Sequence, residues 1–168
     1  MYILAIRNDP LHRRIWEDGF SEALRKHGVN TTPSYRLFPD QLPDSAALER
    51  AVRDNNCDGI LVSRRLPTET NTQYVEGYVA SEPFTGFNPR TQKYFTYYKD
   101  VTHPGYTDST RVARQAVEVW RVGENGAMVW SGTTATIDPN SLQEIQHDVV
   151  DLVVKELSQQ MIIPSEHE

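Results

Sequence analysis

Short apolar runs alternate with helical patterns in the first half of this chain. Residues 2–6 (YILAI) are an apolar run typical of a strand that is covered on both faces. Behind it, apolar side chains recur every three or four positions, which predicts a helix with Asp9 as its N-cap, Pro10 in its first turn and Gly28 as its stop. The residues that recur at this spacing are Leu11, Ile15, Trp16, Phe20, Ala23, Leu24 and His27.

A second strand and helix follow, and then a third strand. Residues 29–39 (VNTTPSYRLFP) predict a strand that Pro33 interrupts, and such a strand belongs at the edge of a sheet. A helix then begins near Asp44 or Ser45, and residues 58–66 (DGILVSRRL) form another apolar strand. Two successive βα units favour parallel pairing of their strands, because parallel neighbours need a crossover connection.

The last third of the chain has the pattern of an antiparallel hairpin and a closing helix. Residues 110–122 predict one long, half-polar strand, as expected of an antiparallel strand with one partly wet face. The Asn-Gly dipeptide at 125–126 predicts a hairpin turn, and residues 127–137 (AMVWSGTTATI) return as the partner strand. The Asp-Pro dipeptide at 138–139 repeats the beginning of the first helix and predicts a further helix. The apolar stripe of that helix is Leu142, Ile145, Val149, Leu152, Val153 and Leu157.

Together these patterns predict an α/β fold. Its mixed sheet has about five strands, ordered βαβαβ and followed by the long antiparallel hairpin, with three main helices packed on it. At 168 residues the chain fits one domain. We expect that domain to span residues 1–163, with an aromatic-rich insertion at 74–109 and a frayed tail at 164–168.

The insertion is the most unusual part of the sequence. Residues 74–106 contain six of the eight tyrosines and three of the five phenylalanines. A connection of this length without an obvious pattern is usually functional or disordered, and disordered segments are poor in aromatic residues. Three arrangements are open. The rings fold back as a lid or stack along two extended strands, they form a surface for a partner or ligand, or the segment is disordered in the isolated domain.

Tyrosine favours a binding surface, because it combines a large contact area with a polar tip and few rotatable bonds. Several rings exposed together would form an apolar patch that monomers seldom leave uncovered, so self-association is open as well. The candidate binding residues are Tyr74, Tyr78, Phe84, Phe87, Tyr94, Phe95, Tyr97, Tyr98, His103 and Tyr106.

The charge and the cysteine content argue against several classes of function. The net charge of -6 argues against a nucleic-acid partner, since phosphate binding requires clustered Lys and Arg. The basic clusters at 12–14 and 64–65 are too short to form a basic patch, and we expect their side chains to be solvated. The single cysteine, Cys57, excludes an intramolecular disulfide and any multi-cysteine metal site. No apolar run is long enough to cross a membrane.

The sequence contains no motif for catalysis, and we assign no catalytic residue, metal ligand or cofactor. His103 is close in sequence to Asp100 and Asp108, and Glu76 and Glu82 form a further acidic pair. A hydrolase would need such side chains to converge in a pocket.

Another hypothesis is small-ligand binding at the carboxyl ends of the parallel strands. Asn8, Ser63 or Arg64 would then surround a crevice. Because the chain has no glycine-rich anion loop, this hypothesis ranks last.

Several segments together resemble an uncharacterised family of Gram-negative cell-envelope lipoproteins. They are RRIWEDGFSEALRKHGVNTTPSYRLFP at 13–39, CDGILVSRRL at 57–66, TQYVEGYV at 72–79 and VWRVGENGAMVWSGTTATIDPNS at 119–141. The similarity covers nearly the whole chain, and no catalytic residue set is established for the family. The family's signal peptide and lipid-bearing cysteine are not in this sequence, and Cys57 does not match that cysteine. More distantly, the element order is similar to small α/β domains of envelope assembly proteins, including the amino-terminal domain of the Tol-system propeller protein and lipoprotein activators of peptidoglycan synthases.

The resemblance implies a non-enzymatic, soluble domain of a periplasmic lipoprotein that is anchored to a membrane in its full-length form. Its Tyr-rich insertion would contact an envelope protein, another copy of the chain or cell-wall material. Nucleic acid is not an expected partner, and the membrane is reached only through a lipid anchor outside this sequence. The alternative is a hydrolase-type enzyme that acts on an envelope substrate through residues of the insertion.

Overall fold

The computed structural model describes residues 1–123 and 126–165, and it divides into two compact units. The core unit comprises Met1–Glu69 and the chain from Arg111 onward, and the hairpin unit comprises Thr70–Thr110. The predicted α/β class is confirmed: three helices accompany a mixed six-stranded sheet and a separate two-stranded antiparallel sheet.

In the described residues, eight strands and three helices follow one another along the chain. They are β1 (Tyr2–Ile6), α1 (Pro10–Lys26), β2 (Thr32–Pro33), α2 (Ser45–Asp54), β3 (Gly59–Arg65), β4 (Glu69–Val75), β5 (Tyr78–Asn88), β6 (Lys93–His103), β7 (Tyr106–Arg121), β8 (Ala127–Ile137) and α3 (Leu142–Gln159). A 3-10 turn at Ser34–Arg36 follows β2, so the edge strand that Pro33 predicted is only two residues long.

The six-stranded sheet has the order β2-β1-β3-β7-β4, and β8 also pairs with β7. β1 is parallel to β2 and to β3, as the two βα units predicted. β7 is antiparallel to β3 and to β8, which confirms the long C-terminal hairpin. Residues 124 and 125 of its predicted turn lie outside the described residues.

The core unit has an apolar layer on each face of the sheet, because side chains of a strand alternate between its two faces. In β1, Ile3 and Ala5 pack with buried residues of α1 and α3. Tyr2 and Leu4 point to the other face and pack with Ala51, Val52 and Cys57 in and after α2. The alternation explains why β1 reads as one continuous apolar run.

Local capping residues set where α1 begins. The Asp9 carboxylate accepts hydrogen bonds from the backbone N–H groups of Leu11 and His12 at 2.8 and 3.0 Å, and Pro10 is the first helical residue. Gly28 follows the helix with a φ of 73°. These boundaries confirm the prediction from Asp9, Pro10 and Gly28.

The predicted beginning of α3 is wrong. Asp138 does not cap the helix: its backbone N–H donates to the Arg111 carbonyl, and its carboxylate accepts from the Arg111 N–H at 2.6 Å. The helix begins at Leu142 with Ser141 as its N-cap, whose hydroxyl accepts from the Glu144 N–H at 3.1 Å. Asp138 therefore bonds to the β7–β8 strand pair, and Ser141, the residue directly before the helix, is the N-cap.

The predicted stripe of α3 is also partly wrong. Val149, Val153 and Leu157 are buried as expected, but Leu152 is 49% exposed. Residues Val150 and Val154 are buried in its place. Successive helical residues are about 100° apart, so a stripe centred on Val153 leaves Leu152 at its border.

A buried polar network connects α1 to β1 and to the turn after β2. One oxygen of the Glu17 carboxylate accepts from Arg13 Nε and from the Ala5 backbone N–H, each at 3.1 Å. The same oxygen accepts from the Ser34 hydroxyl at 2.5 Å. The other oxygen accepts from the Tyr35 backbone N–H at 2.8 Å. Glu17 is thus fully buried with partners for both oxygens.

The Arg13 guanidinium completes this network. It donates to the Ser34 hydroxyl at 2.6 Å and to the carbonyl oxygens of Phe38 and Gln41 at 2.7 and 2.9 Å. Arg13 is buried, whereas a solvated side chain was expected for the cluster at 12–14. Its partners are distant in sequence, which is why the local pattern did not show them.

We expect Glu17→Ala to lower the free energy of unfolding by about 3–5 kcal/mol, because it leaves the Arg13 charge buried without its partner. Urea denaturation followed by circular dichroism measures the change. Glu22→Ala, on the exposed face of the same helix, is the matched control and should stay within about 0.5 kcal/mol of the unchanged protein. Equal unfolding free energies for the two variants would contradict a structural role for the network.

Tyr2 gives a pH-dependent prediction. Its hydroxyl is buried without a hydrogen-bond partner among the described residues, and burial, followed by the charge of Glu17, raises the pKa of Tyr2 from 10.0 to about 12. A folded-state pKa above the unfolded value means that stability present below pH 10 is lost as the pH rises toward 12.

We expect Tyr2→Phe to raise the free energy of unfolding by about 1 kcal/mol at neutral pH, because no orphan hydroxyl is then buried. The advantage over the unchanged protein should widen between pH 10 and 12, when denaturation is repeated at each pH. A less stable variant would show that the hydroxyl has a hydrogen-bond partner, and an advantage that does not change with pH would show that the folded protein does not raise the pKa of Tyr2.

Candidate functional site

The aromatic segment forms a regular β-hairpin. β5 and β6 pair antiparallel along their whole length, from Tyr78 opposite His103 to Asn88 opposite Lys93, with a turn at 89–92. In the described residues neither strand has a further strand partner. Of the arrangements that the sequence left open, the structure therefore has the rings along two extended strands.

Alternation along the strands gives the hairpin two faces, each built from both strands. The His103 face carries Tyr78, Ala80, Glu82, Phe84, Gly86, Asn88, Lys93, Phe95, Tyr97, Lys99, Val101 and His103. The Tyr98 face carries Val79, Ser81, Pro83, Thr85, Phe87, Tyr94, Thr96, Tyr98, Asp100 and Thr102. Aromatic rings occur on both.

The side chains of the His103 face contact one another. The imidazole of His103 stacks on Tyr78 with 4.7 Å between ring centroids, and its Nε2 lies 2.8 Å from the Glu82 carboxylate. Further along, Tyr97 stacks on Phe84 at 6.0 Å and contacts Phe95 at 5.9 Å. The contacts of His103 with Tyr78 and Glu82 and of Tyr97 with Phe84 connect the two strands, whereas Phe95 and Tyr97 both belong to β6.

Gly86 leaves room for the Phe95 ring, which crosses β5 at this position. A Cβ at position 86 would lie 2.6 Å from the Phe95 ring, closer than real Cβ atoms approach. The glycine therefore lets the ring lie flat on the His103 face.

The Tyr98 face is the more open of the two. Its ten side chains are all exposed, whereas four on the His103 face are half-buried. Tyr94 and Tyr98 are 76% and 70% exposed, and Phe87 packs only against Tyr94, with 5.1 Å between ring centroids. Tyr98 lies opposite Pro83, and one charged residue, Asp100, occupies this face.

All ten residues predicted as a binding set belong to the hairpin unit. Nine of them are exposed, and His103 is half-buried by Tyr78 and Glu82. Tyr74 in β4 and Tyr106 in β7 are exposed as well, outside the two faces of the hairpin. The structure thus brings eight of the ten onto one hairpin, divided between its faces.

The side chains named for a hydrolase do not converge. Glu82 and His103 are in contact, but Asp100 lies on the opposite face of the hairpin. Glu76 lies in the connection between β4 and β5. Within the described residues no three His, Cys, Asp or Glu side chains are arranged to hold a metal ion.

The residues named for small-ligand binding do not meet in one crevice either. Asn8 lines a cavity of about 190 Å³ with Arg7, Arg13 and residues 39–42. Ser63 is buried within the sheet, and Arg64 pairs with Glu118 at 3.1 Å.

Arg7 lies directly after β1, and the sequence patterns did not single it out, although its pKa is shifted by its surroundings. Its guanidinium lies over the Trp16 ring and donates to Gln115 Oε1 at 2.7 Å. Burial, followed by the charge of Arg65, lowers the pKa of Arg7 to about 10. The side chain is thus engaged with the protein itself, and no signal in the local sequence distinguishes it from other arginines.

Comparison with known proteins gives only distant structural likeness. No family model and no curated protein matches this chain. Among solved structures, a PelC variant from Paraburkholderia phytofirmans, described as a dodecamer, aligns over 94% of this chain and 84% of its own, with a TM-score of 0.47 and 16% identity. Lipoprotein GNA1162 from Neisseria meningitidis aligns over 94% of this chain and 96% of its own, with a TM-score of 0.40 and 13% identity. At these values neither likeness carries an inference about function.

One further property concerns the membrane. Among the helices of residues 1–123 and 126–165, none is long and apolar enough to cross a bilayer.

Exposure of the hairpin rings gives a direct prediction. In hydroxyl-radical footprinting with mass spectrometry, we expect Tyr94 and Tyr98 to be oxidised much faster than Tyr2, which is fully buried. The three residues share one chemistry, so accessibility alone separates their rates. Protection of Tyr94 and Tyr98 to the level of Tyr2 would show that another surface covers the hairpin.

Proposed function

We propose that this chain is a non-enzymatic, protein-binding domain of the cell envelope whose binding surface is the β5–β6 hairpin. The observation that carries the proposal is the exposure of aromatic rings along both strands of that hairpin. The envelope setting rests on the resemblance of the sequence to envelope lipoproteins. An exposed apolar surface of this kind is typical of an interaction site, because contact of apolar groups with water is unfavourable and a partner that covers them removes that contact.

The composition of the Tyr98 face favours a protein as the partner. Phe87, Tyr94 and Tyr98 alternate with small hydroxyl side chains, and only Asp100 is charged. Tyrosine among serine and threonine is the composition of protein-recognition surfaces, in which rigid rings supply contact area and hydroxyls supply adaptable hydrogen bonds. With a single carboxylate and no Lys or Arg, the same face offers nothing to a phosphate backbone.

The two faces of the hairpin have different roles in the proposal. On the His103 face the rings contact each other, and the Glu82–His103 contact joins the strands. A two-stranded sheet is only marginally stable in water, so these contacts support its shape. The Tyr98 face has a single ring pair and otherwise free side chains, which makes it the face that binds.

Site-specific photo-crosslinking identifies the partner in cells. A photoreactive phenylalanine analogue in place of Tyr98 should form a covalent adduct with one envelope protein. The same analogue in place of Lys99, the next residue on the opposite face, should not. Adducts from both positions in equal yield, or from neither, would contradict binding through the Tyr98 face.

The affinity of the purified pair then tests the individual rings. We expect Phe87→Ser combined with Tyr94→Ser to weaken binding by at least about 100-fold, since each anchoring ring contributes about 2 kcal/mol or more. Thr85→Ser combined with Thr96→Ser changes the same face without removing a ring and should leave the affinity nearly unchanged. Isothermal titration measures both, with circular dichroism as the check on folding. Equal affinity of the two double variants would overturn the role of the rings.

A further inference from the structure

The two faces of the hairpin differ in charge. Residues 83–99 contain Arg90, Lys93 and Lys99 but no Asp or Glu, although the net charge of the chain is -6. Lys93 and Lys99 lie on the His103 face, and Arg90 lies in the turn at 89–92. The Tyr98 face has no cation, and its single charged residue is Asp100. Positive charge is therefore concentrated on one face of the hairpin and at its tip.

These three cations have no acidic partner within the described residues, because no ion pair there includes Arg90, Lys93 or Lys99. All three side chains are exposed. Glu82 lies opposite Lys99 in the strand pairing, but its carboxylate is 2.8 Å from Nε2 of His103. Each cation is therefore available to a negatively charged group of another molecule.

Aromatic rings lie between the two lysines on the same face. Phe95 and Tyr97 occupy the alternate positions from Lys93 to Lys99 along β6, and Phe84 lies opposite Tyr97 on β5. These three rings are between 37% and 50% exposed. Each lysine adds an apolar stem below its charge, so the His103 face combines apolar surface with positive charge.

We propose that the His103 face binds the surface of a bilayer that contains anionic lipids. The hairpin lies along this surface, where the cations contact lipid phosphates and the rings enter the headgroup region. It does not go deeper, because the outer edges of β5 and β6 have no strand partner in the described residues, and hydrocarbon cannot satisfy unpaired N–H and C=O groups. The contact is additional to the lipid anchor that the sequence resemblance implies.

The spacing of the cations favours an extended anionic surface over a single anion. Lys93 and Lys99 are six positions apart on one strand, which is about 20 Å. Two ammonium groups at this distance are poorly placed to share one phosphate, whereas a bilayer presents many. The rings favour lipid over a soluble polyanion, because the phenyl groups of Phe84 and Phe95 gain from leaving water but offer a phosphate no hydrogen bond.

The membrane contact goes beyond the proposed protein binding and uses the opposite face of the hairpin. Anionic lipid would repel the carboxylate of Asp100, which is the only charge on the Tyr98 face. A hairpin that rests on lipid through its His103 face therefore turns the Tyr98 face away from the bilayer. That face stays accessible to a protein partner.

Co-sedimentation of the full chain with vesicles tests the role of the lysines. The chain should bind vesicles of equal parts phosphatidylglycerol and phosphatidylcholine, and Lys93→Gln with Lys99→Gln should weaken that binding by at least about tenfold. Lys26→Gln with Lys155→Gln is the matched control, because it removes the same charge from exposed positions of the core unit, and it should bind normally. No binding to these vesicles, or equal loss in both double variants, would overturn the proposal.

Inorganic polyphosphate in solution separates a lipid surface from any polyanion. The chain should bind it at least about tenfold more weakly, per phosphate, than the anionic vesicles. Equal binding would overturn the assignment to lipid.

A polarity-sensitive fluorophore on a single cysteine shows which face contacts lipid. Ala80→Cys and Ser81→Cys are neighbours on opposite faces of the hairpin, and Cys57 is buried and common to both. On addition of the anionic vesicles, the emission of the label at position 80 should shift to the blue, and that at position 81 should not. Equal shifts, or a shift at position 81 alone, would refute binding through the His103 face.

Failure of this proposal is distinguishable from failure of the proposed protein binding. Phe87→Ser with Tyr94→Ser should bind vesicles as the unchanged chain does, since both rings lie on the Tyr98 face. Lys93→Gln with Lys99→Gln should keep the affinity of the purified protein pair, which is measured without lipid. Loss of vesicle binding in the first variant, or of protein affinity in the second, would contradict the separation of the two faces.

Discussion

The arrangement of the core unit depends on the burial of Glu17 with partners for both carboxylate oxygens. Through Ala5, Arg13 and Ser34 this one carboxylate contacts β1, α1 and the turn after β2. A buried ion pair adds little net stability compared with an apolar replacement, but an incomplete one is strongly unfavourable. The network therefore fixes the positions of β1, α1 and the turn after β2 relative to one another, and this effect is larger than its contribution to stability. It explains how β2, with only two residues, keeps a defined place beside β1.

The hairpin unit differs from the core unit because its large aromatic side chains are not buried in a core. Its aromatic side chains stay largely exposed, and those on the His103 face contact one another. A core would bury such rings, whereas a binding surface presents them at small entropic cost because tyrosine has few rotatable bonds.

The sequence predicted correctly those features that depend on residues close to one another along the chain. The boundaries of α1 follow from Asp9, Pro10 and Gly28, whose effects reach only a few residues. Asp138 failed as a helix cap because a sheet partner distant in sequence competes for it, and the burial of Arg13 likewise depends on residues far along the chain. The aromatic segment was recognised by composition, yet its strands were not. Rings on both faces hide the period-two alternation by which a half-buried strand is recognised.

The central claim is that the core unit carries its own stability and presents the hairpin for binding. Urea denaturation of a chain in which residues 78–103 are replaced by a short glycine–serine linker tests it most directly. The account predicts cooperative unfolding with a free energy within about 1 kcal/mol of the full chain, because the buried clusters and the Glu17 network lie in the core unit. Loss of the cooperative transition, or a decrease of several kcal/mol, would show that the core needs the hairpin to fold and would contradict the account.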